Sequence, residues 1–542
     1  MVKDQIKQVI KGKILDDSES LKKYSRDASI FEIQPQLITI PKDIDDIKAL
    51  VKFVSGNKNP KLSLTCRAAG TDMTGGAIND SIIIDLKNIN NFIEQGSDYA
   101  ITQPGIMYKD FEIETLKKGL ILPTYPASRE ICTVGGMVAT NAGGELNLTY
   151  GQLSKYVLNL KVILSDGNEY LIEPLNFDQL NKKIAQQDFE GKLYLQIFNL
   201  IKENQKLIQV AKPVVSKNST GYPIWDIWDG EVFDLTKIFI GSQGTLGIIT
   251  EIKLELISHK SHQVLLAITL PNLKQLDQII NRVLSFRPES FECFDKETLE
   301  LATKFSFELA KDFKHSTRFT AFLRFIPEIW MYLTKTLPEL VMIANFTADT
   351  KQEALSVALN AEKSLQSYDI KVKVLDNISS AEKYWIIRHK SFGLLRLHSE
   401  NGQASSFIDD FIVKPEYLPQ FLPQFNELIK PYKNKMVYTL AGHIGDGNFH
   451  IIPLMDLSDP VVKKIIPELM DRVFDLVFKY KGSMSAEHND GLVRGPYLEK
   501  MYGEKVVGIF KKIKNIFDPE DIFNPHKKTD ATMDYSFSHL LA

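Results

Sequence analysis

Between Gly442 and His450 the chain reads Gly-His-Ile-Gly-Asp-Gly-Asn-Phe-His, and its two histidines are residues that bind metals. The three glycines and the Asp-Gly-Asn run exclude a helix interior. Asp446-Gly447 is a dipeptide that reverses a strand. Met436 to Leu440 before it, and Phe449, Ile451 and Ile452 after it, read as strand. A tight reversal between these strands would bring His443 and His450 together across the turn, facing one cavity. Two imidazoles so placed begin a metal site. The plainer alternative is a glycine-rich hairpin whose histidines fill space.

Stepping outward, other stretches must supply what two histidines lack. Residues 1–35 begin with a short amphipathic helix, and a second helix runs from Pro41 to Gly56 with Ile44, Ile47, Leu50, Val51 and Val54 on its apolar side. A strand at Leu62–Thr65 runs into Arg67-Ala68-Ala69-Gly70-Thr71-Asp72-Met73-Thr74-Gly75-Gly76, and a strand at Ser81–Leu86 follows. Successive backbone N–H groups unobstructed by side chains suit a phosphate cradle. The loop matches neither the Walker A nor the Gly-x-Gly-x-x-Gly pattern. Beyond a helix at Tyr108–Lys118, Pro123-Thr124-Tyr125-Pro126-Ala127-Ser128 precedes Thr133-Val134-Gly135-Gly136 and Asn141-Ala142-Gly143-Gly144. Two Gly-Gly pairs imply a backbone pressed against something flat or bulky; tight helix packing is the alternative. Val157–Leu164 and Glu169–Ile172 form a hairpin. Lys217-Asn218-Ser219-Thr220-Gly221-Tyr222 comes next, and Ile238–Thr250 reads strand–turn–strand.

From about Leu256 the pattern changes to strands and longer amphipathic helices: strand His262–Leu270, helix Leu273–Phe286, strand Phe319–Phe325 and helix Lys351–Gln366. That alternation suggests an α+β unit with an antiparallel sheet. Arg388 lies on a helix, and Phe407–Val413 reads as a strand entering the core.

The chain has 542 residues, too many for one core. Its net charge of -3 gives no basic face for nucleic acid. Three cysteines, Cys66, Cys132 and Cys293, are too scattered for a disulfide framework, a Cys-x-x-Cys zinc site or an iron–sulfur ligand run. No apolar run reaches the roughly 18 residues that span a bilayer. These features predict a cytoplasmic protein, with a peripheral position on the inner face of the membrane left open.

The four glycine-rich blocks together resemble the flavoprotein family of vanillyl-alcohol oxidase and p-cresol methylhydroxylase (PCMH). The marks are an Arg-x-x-Gly-Thr loop, the Pro-x-x-Pro…Thr-x-Gly-Gly…Asn-Ala-Gly-Gly run, Lys-Asn-x-Thr-Gly-Tyr and Gly-Ser-x-Gly-Thr-Leu-Gly. Gly442–His450, Ser485-Ala486-Glu487-His488 and Asp518-Pro519…Phe523-Asn524-Pro525 resemble its D-lactate, glycolate and D-2-hydroxyglutarate dehydrogenase branch. The likeness spans nearly the whole chain. It implies an α+β fold in which a two-part PCMH-type FAD-binding domain (1–255) precedes an α+β substrate domain of the FAD-oxidase C-terminal type with an antiparallel sheet (256–515), and a C-terminal segment (516–542) returns to the first domain. By the same resemblance Arg67, Gly70, Thr71, Asp72, Gly75 and Gly76 would hold the FAD pyrophosphate. Pro126, Thr133, Gly135, Gly136, Asn141 and Gly143 would line the cofactor, Gly247 and Ile249 its adenosine side, and Asn524 the flavin ring. This sequence departs from the pattern at Ala68-Ala69, where many relatives carry glycine, and in the acidic motif, which reads Glu487-His488-Asn489-Asp490-Gly491 where many relatives have Glu-His-Gly.

On this reading Glu487 completes a metal site with His443 and His450, leaving open positions for substrate. Zn²⁺ fits these ligands, and Mn²⁺ or Fe²⁺ is not excluded. A D-2-hydroxy acid would present its hydroxyl and carboxylate together, the metal acting as Lewis acid. His488 is the expected general base, Arg388 the carboxylate partner, and C2 hydride passes to flavin N5. On a regular strand Glu487 and His488 would face opposite ways, so the backbone must bend there. Asp446 is read as a turn former or a further ligand. Electrons would leave to a quinone, an electron-transfer flavoprotein or an iron–sulfur partner. Covalent FAD attachment and a homodimer stay open. The alternatives are a flavin oxidase of another alcohol or sugar, and a non-redox enzyme of the alkylglycerone-phosphate synthase type.

Overall fold

The computed structural model describes residues 2–57, 61–314, 317–397 and 403–541. It is an α+β molecule built around three larger sheets. In the first, strand Lys13–Leu15 lies antiparallel to Leu37–Ile40, which continues in parallel through Ile82–Asp85 to Leu64–Arg67. Helix Ile44–Gly56 covers one face. Its start is fixed by Asp43, whose carboxylate accepts from the Asp46 N–H at 3.1 Å. Ile47, Leu50, Val51 and Val54 recur at helical spacing and are buried with Leu37, Ile82 and Ile84, each contributing about 1.5–3 kcal/mol.

A five-stranded antiparallel sheet follows, ordered Phe92–Gln95, Tyr99–Thr102, Ile248–Glu255, Val157–Ile163, Glu169–Ile172. The third sheet has seven strands: Lys371–Leu375, His262–Leu270, Leu340–Ala348, Ser290–Asp295, Leu440–His443, Asn448–Ile451 and Phe411–Ile412. All of its pairings are antiparallel. The last stretch of the chain returns to the first sheet: Leu64 N–H donates to Ile522 O at 2.7 Å and Asn524 N–H to Leu64 O at 2.9 Å.

Several elements differ from the pattern read in the sequence. Phe319–Phe325 was expected to be a strand; the chain forms helix Arg318–Leu323 instead, because the Thr317 hydroxyl caps the Thr320 N–H. The first half of the Ile238–Thr250 reversal is a helical turn, Thr236–Phe239, entered where the Asp234 carboxylate accepts from Thr236 N–H at 2.9 Å. Pairing before the histidine hairpin begins only at Leu440, Val437 making a single bridge to Leu454. Within Phe407–Val413 only Phe411–Ile412 is strand, since Asp410 takes a φ of 67°, which breaks extended pairing. Among the described residues no helix is long and apolar enough to cross a membrane.

Candidate active site

The hairpin brings its histidines together by register. His443 pairs with Asn448 and Ala441 with His450. Residues two apart on a strand share a face, as do cross-strand partners. His443 and His450 therefore project to the same side, their ring centroids 5.1 Å apart. The next strand continues the pattern. Cys293 pairs with Gly442, which places Glu292 opposite His443. The Glu292 Oε1 lies 2.6 Å from His443 Nδ1, leaving Nε2 to face Glu487 Oε1 at 3.4 Å.

Glu487 and His488 both reach this site because residues 483–490 form no regular strand and Asn489 is left-handed at φ 70°. The Asp410 carboxylate holds the bend: one oxygen accepts from Ser485 Oγ at 2.5 Å and from the N–H groups of Glu487 and His488 at 2.9 and 2.7 Å. The buried guanidinium of Arg494 donates to the carbonyls of Met484, Asn489 and Asp409 at 3.0, 2.9 and 2.5 Å. Asn489 donates to Thr140 O and Gly241 O at 3.1 and 2.8 Å, and Lys528 donates to Asn489 and Asp490 at 2.6 and 2.7 Å. The bend is thereby tied to the glycine-rich half of the chain.

Among the described residues, three overlapping triads have ligand atoms within 4.8 Å of one another: His443–His450–Glu487, Asp409–His450–His488 and Asp410–Glu487–His488. The last is the poorest, because the Asp410 oxygen that faces it already has three donors. Asp409 and His488 form an ion pair of their own at 3.0 Å. His443, His450 and Glu487 remain as two nitrogens and a carboxylate, with Glu487 3.4 and 3.9 Å from the two imidazoles. This donor chemistry fits a divalent metal.

Electrostatics link these groups. Burial works to raise the Glu292 pKa, but His443 and Arg388 outweigh it and hold it down to about 2. Arg388, on helix Ile378–Leu397, contacts the other Glu292 oxygen at 3.0 Å. Burial works to lower the His443 pKa, yet Glu292 raises it to about 9. His488 is likewise pushed up to about 9, Asp410 and Asp409 overcoming the opposing effect of burial. Lys217 is fully enclosed and bonds to Glu487, with Asp446 3.4 Å away; burial opposes its charge, and Glu487 and Asp446 keep its pKa raised. The carboxyl of Glu487 is held well below the usual range, Lys217 and His443 overcoming burial.

Glu292, Lys217, Asp409, Asp410 and Arg494 were not singled out from the sequence as site residues. One signal was present for the aspartates: two adjacent carboxylates inside the apolar run Phe407-Ile408…Phe411-Ile412. Lys217 opens a quoted motif, but nothing local ties it to Glu487, 270 positions away.

The glycine loops meet at the other side of the bend. In the loop after Leu64–Arg67, the Asp72 carboxylate takes the N–H groups of Thr74 and Gly76 at 2.7 and 2.9 Å. Gly70 and Gly75 have positive φ; Gly70 lies against the Arg67 side chain, whose guanidinium stacks on Tyr24 at 5.2 Å. Gln243, also missed in the sequence, donates to Asp72 and Thr74 at 3.2 and 3.0 Å and accepts from Gly491 N–H at 2.8 Å. Asn524 donates to Gly76 O and Gln243 O at 2.8 and 2.7 Å, so it braces two loops. Thr133 caps helix Val134–Thr140, which Asn141 ends in the left-handed conformation. A side chain on Gly135 would strike Pro104, and one on Gly247 would meet Val162 at 2.8 Å; close packing requires glycine at both. Gly136 has more room, with Thr133 Oγ1 at 3.3 Å and Ala68 Cβ at 3.6 Å. Ile249 lies in the five-stranded sheet paired with Val162, and Pro126 is half-buried beside the turn that Gly144 packs against. A Cβ on Gly143 would meet the Glu487 side chain at 3.0 Å, so the Asn141–Gly144 run abuts the His443–His450–Glu487 cluster.

Arg67 Nη1 and Lys527 Nζ are buried without hydrogen-bond partners. Burial holds the Lys527 pKa down to about 8, with Asp27 and Asp72 among its neighbours, while burial and Asp72 push Asp27 up to about 7. These two buried nitrogens of cationic side chains, which find no acceptor among the described residues and lie near Asp27 and Asp72, fit a dianionic pyrophosphate at this loop.

The family profile described as "FAD binding domain" matches residues 35–171, and that described as "FAD linked oxidases, C-terminal domain" matches residues 259–528. A D-2-hydroxyglutarate dehydrogenase of Pseudomonas putida is 26% identical over 533 residues, covering 95% of this chain and 50% of that protein. The chain thus spans about half the length of that relative. A D-2-hydroxyglutarate dehydrogenase of Stutzerimonas stutzeri is 25% identical over 551 residues, covering 97% and 98%. In fold, the chain superposes on p-cresol methylhydroxylase with a TM-score of 0.65 at 13% identity, covering 96% of this chain and 94% of that one.

Proposed function

Because the chain belongs to the PCMH-type family of FAD-linked oxidoreductases, we propose that it oxidises the C2 hydroxyl of a D-2-hydroxy acid to the 2-oxo acid. D-lactate, D-2-hydroxyglutarate and glycolate are the substrates to try. The observation that carries this reading is the convergence of His443, His450 and Glu487 beside the His488–Asp409 pair. A hydroxy acid needs a cationic centre to chelate and a base at its hydroxyl, and residues suited to hold the one and act as the other lie within one cluster.

FAD would be held by Arg67, Gly70, Thr71, Asp72, Gly75 and Gly76 at its pyrophosphate and by Thr133, Gly136, Asn141 and Gly143 farther along, and it supplies the acceptor for the C2 hydride. His443, His450 and Glu487 would hold a divalent metal, which supplies Lewis acidity toward the substrate oxygen. Glu292 fixes the His443 ring so that Nε2 faces inward, as carboxylates behind ligating histidines do. Arg388, braced by Glu292, pairs with the substrate carboxylate. His488 takes the hydroxyl proton, its imidazole oriented by Asp409. Asp410 and Asp409 outweigh burial and Arg494 and keep His488 protonated at neutral pH; positive charge held by the neighbouring ligands would lower that pKa toward the neutral form a base requires. The hydroxyl proton and C2 hydride together account for the two electrons removed.

The test is anaerobic bleaching of the flavin absorbance by D- and L-2-hydroxy acids, before and after chelation. Fast bleaching by one D-acid, abolished by chelator and restored by Zn²⁺ or Mn²⁺, is expected. His443→Ala and Glu487→Ala should stay yellow but neither bind metal nor bleach. Full bleaching by either variant after chelation refutes the metal-assisted mechanism.

A further inference from the structure

Lys217 is a buried charge at this site that takes no part in the proposed reaction. The side chain of Lys217 is 1% exposed, and its ammonium bonds to Glu487 Oε1. That is the same oxygen that faces His443 Nε2 at 3.4 Å. The ammonium therefore sits on the Glu487 oxygen nearer His443, while Oε2 lies 3.9 Å from His450 Nε2, so a metal between His443, His450 and Glu487 would be close to it. A second acceptor lies within reach. Asp446 Oδ2 is 3.4 Å from the same ammonium, is buried, and has no hydrogen-bond partner. Asp446 is fixed in place by the hairpin turn, its N–H donating to His443 O at 3.0 Å. A cleft of about 690 Å³, lined by residues 212–216 and 414–416 with Gly445 and Asp446, reaches this aspartate.

We propose that Lys217 is an internal cation that neutralises Glu487 when no metal is bound, and that it passes to Asp446 when metal binds. The inference rests on the metal reading proposed above. Two cations on one buried carboxylate repel each other with little screening, which favours moving the mobile ammonium to another acceptor. A buried carboxylate left without a counter-ion is costly, so the ammonium keeps the metal-free site folded. Among the described residues, Asp446 is the acid in contact with the ammonium that is not a proposed ligand, and its orphaned oxygen gives the displaced charge a partner. Lys217 is thus a positioning residue, and Asp446 acts through it rather than on the metal.

The test is Zn²⁺ affinity, measured by competition with a chromophoric chelator, for wild type, Lys217→Met, Asp446→Asn and the double variant, each checked for flavin content. Lys217→Met should bind Zn²⁺ at least about tenfold more tightly, because no cation has to be displaced. Asp446→Asn should bind several-fold more weakly, since the ammonium has nowhere to go, and should have no further effect in the Lys217→Met background. Equal weakening in both backgrounds would make Asp446 a direct ligand and overturn its assignment. A Lys217→Met protein with unchanged or weaker affinity sinks the inference and leaves the metal reading intact; wild type that binds no Zn²⁺ sinks both. Metal-free Lys217→Met should also melt below wild type, with Zn²⁺ closing the gap. If it folds only with Zn²⁺ present, its rate of Zn²⁺ release into excess chelator replaces the titration, and release no slower than wild type overturns the proposal.

Discussion

Replacing Glu292 by glutamine removes the charge that keeps His443 protonated. Glu292 sits 2.6 Å from His443 Nδ1, and although burial opposes it, the carboxylate raises the imidazole from its ordinary 6.5 to about 9. A folded-state pKa above the unfolded one adds stability that is complete below pH 6.5 and is lost as pH rises through 9. The gap corresponds to about 3 kcal/mol. Glu292 itself does not titrate in this window, being held down to about 2. In Glu292→Gln the imidazole stays buried and keeps only Glu487, 3.4 Å from Nε2, as a counter-ion, so its pKa falls and much of the contribution is lost. The stability difference between wild type and variant should therefore shrink, by up to about 3 kcal/mol, between pH 6 and pH 9.5. A pH-independent offset from leaving Arg388 without its partner is common to all points. Denaturant unfolding of chelator-treated protein, followed by far-ultraviolet circular dichroism across that range, measures it. A difference that stays constant with pH would show that Glu292 does not hold the His443 proton. The same proton must leave before Nε2 and Nδ1 can serve a metal and Glu292 together, so wild-type Zn²⁺ affinity should climb by up to about tenfold per pH unit from 6.5 to 9.

Arg494→Met strands three buried carbonyls, those of Met484, Asn489 and Asp409; a loss of about 3 kcal/mol or more in denaturant unfolding is expected, together with weaker metal binding as the bend loosens. Gly143→Ala drives a methyl into Asn147 Nδ2 and to 3.0 Å from the Glu487 side chain, so flavin content and Zn²⁺ binding should both fall. Gly508→Ala, with nothing within 4 Å and a helical setting, should leave both unchanged and stabilise by about 1 kcal/mol. Asn524→Ala removes the donor to Gly76 O and Gln243 O; protein purified without added FAD should carry less flavin, and added FAD should restore it only in part.

The sequence by itself determined what short-range geometry decides. Asp446-Gly447 between strand-forming residues sets a hairpin, and the two-residue period of a strand then sends His443 and His450 to one side without help from the rest of the chain. The need for a bend after Glu487 was legible for the same reason. So were helix Tyr108–Leu116, strand His262–Leu270 and the glycine loops, because turn chemistry and apolar periodicity are local. The segment at Phe319 was misread because its apolar residues suit strand or helix, and the deciding feature was one threonine cap. Only the tertiary structure decided what surrounds the ligands. Glu292 arrives by sheet register from 151 positions away, Lys217 crosses from the glycine-rich half, and Asp410 earns its place by accepting from Ser485, Glu487 and His488. Charges so distant in sequence leave no periodic trace. What brings them together is the cost of burying any of them alone, which is met only when the whole chain has folded.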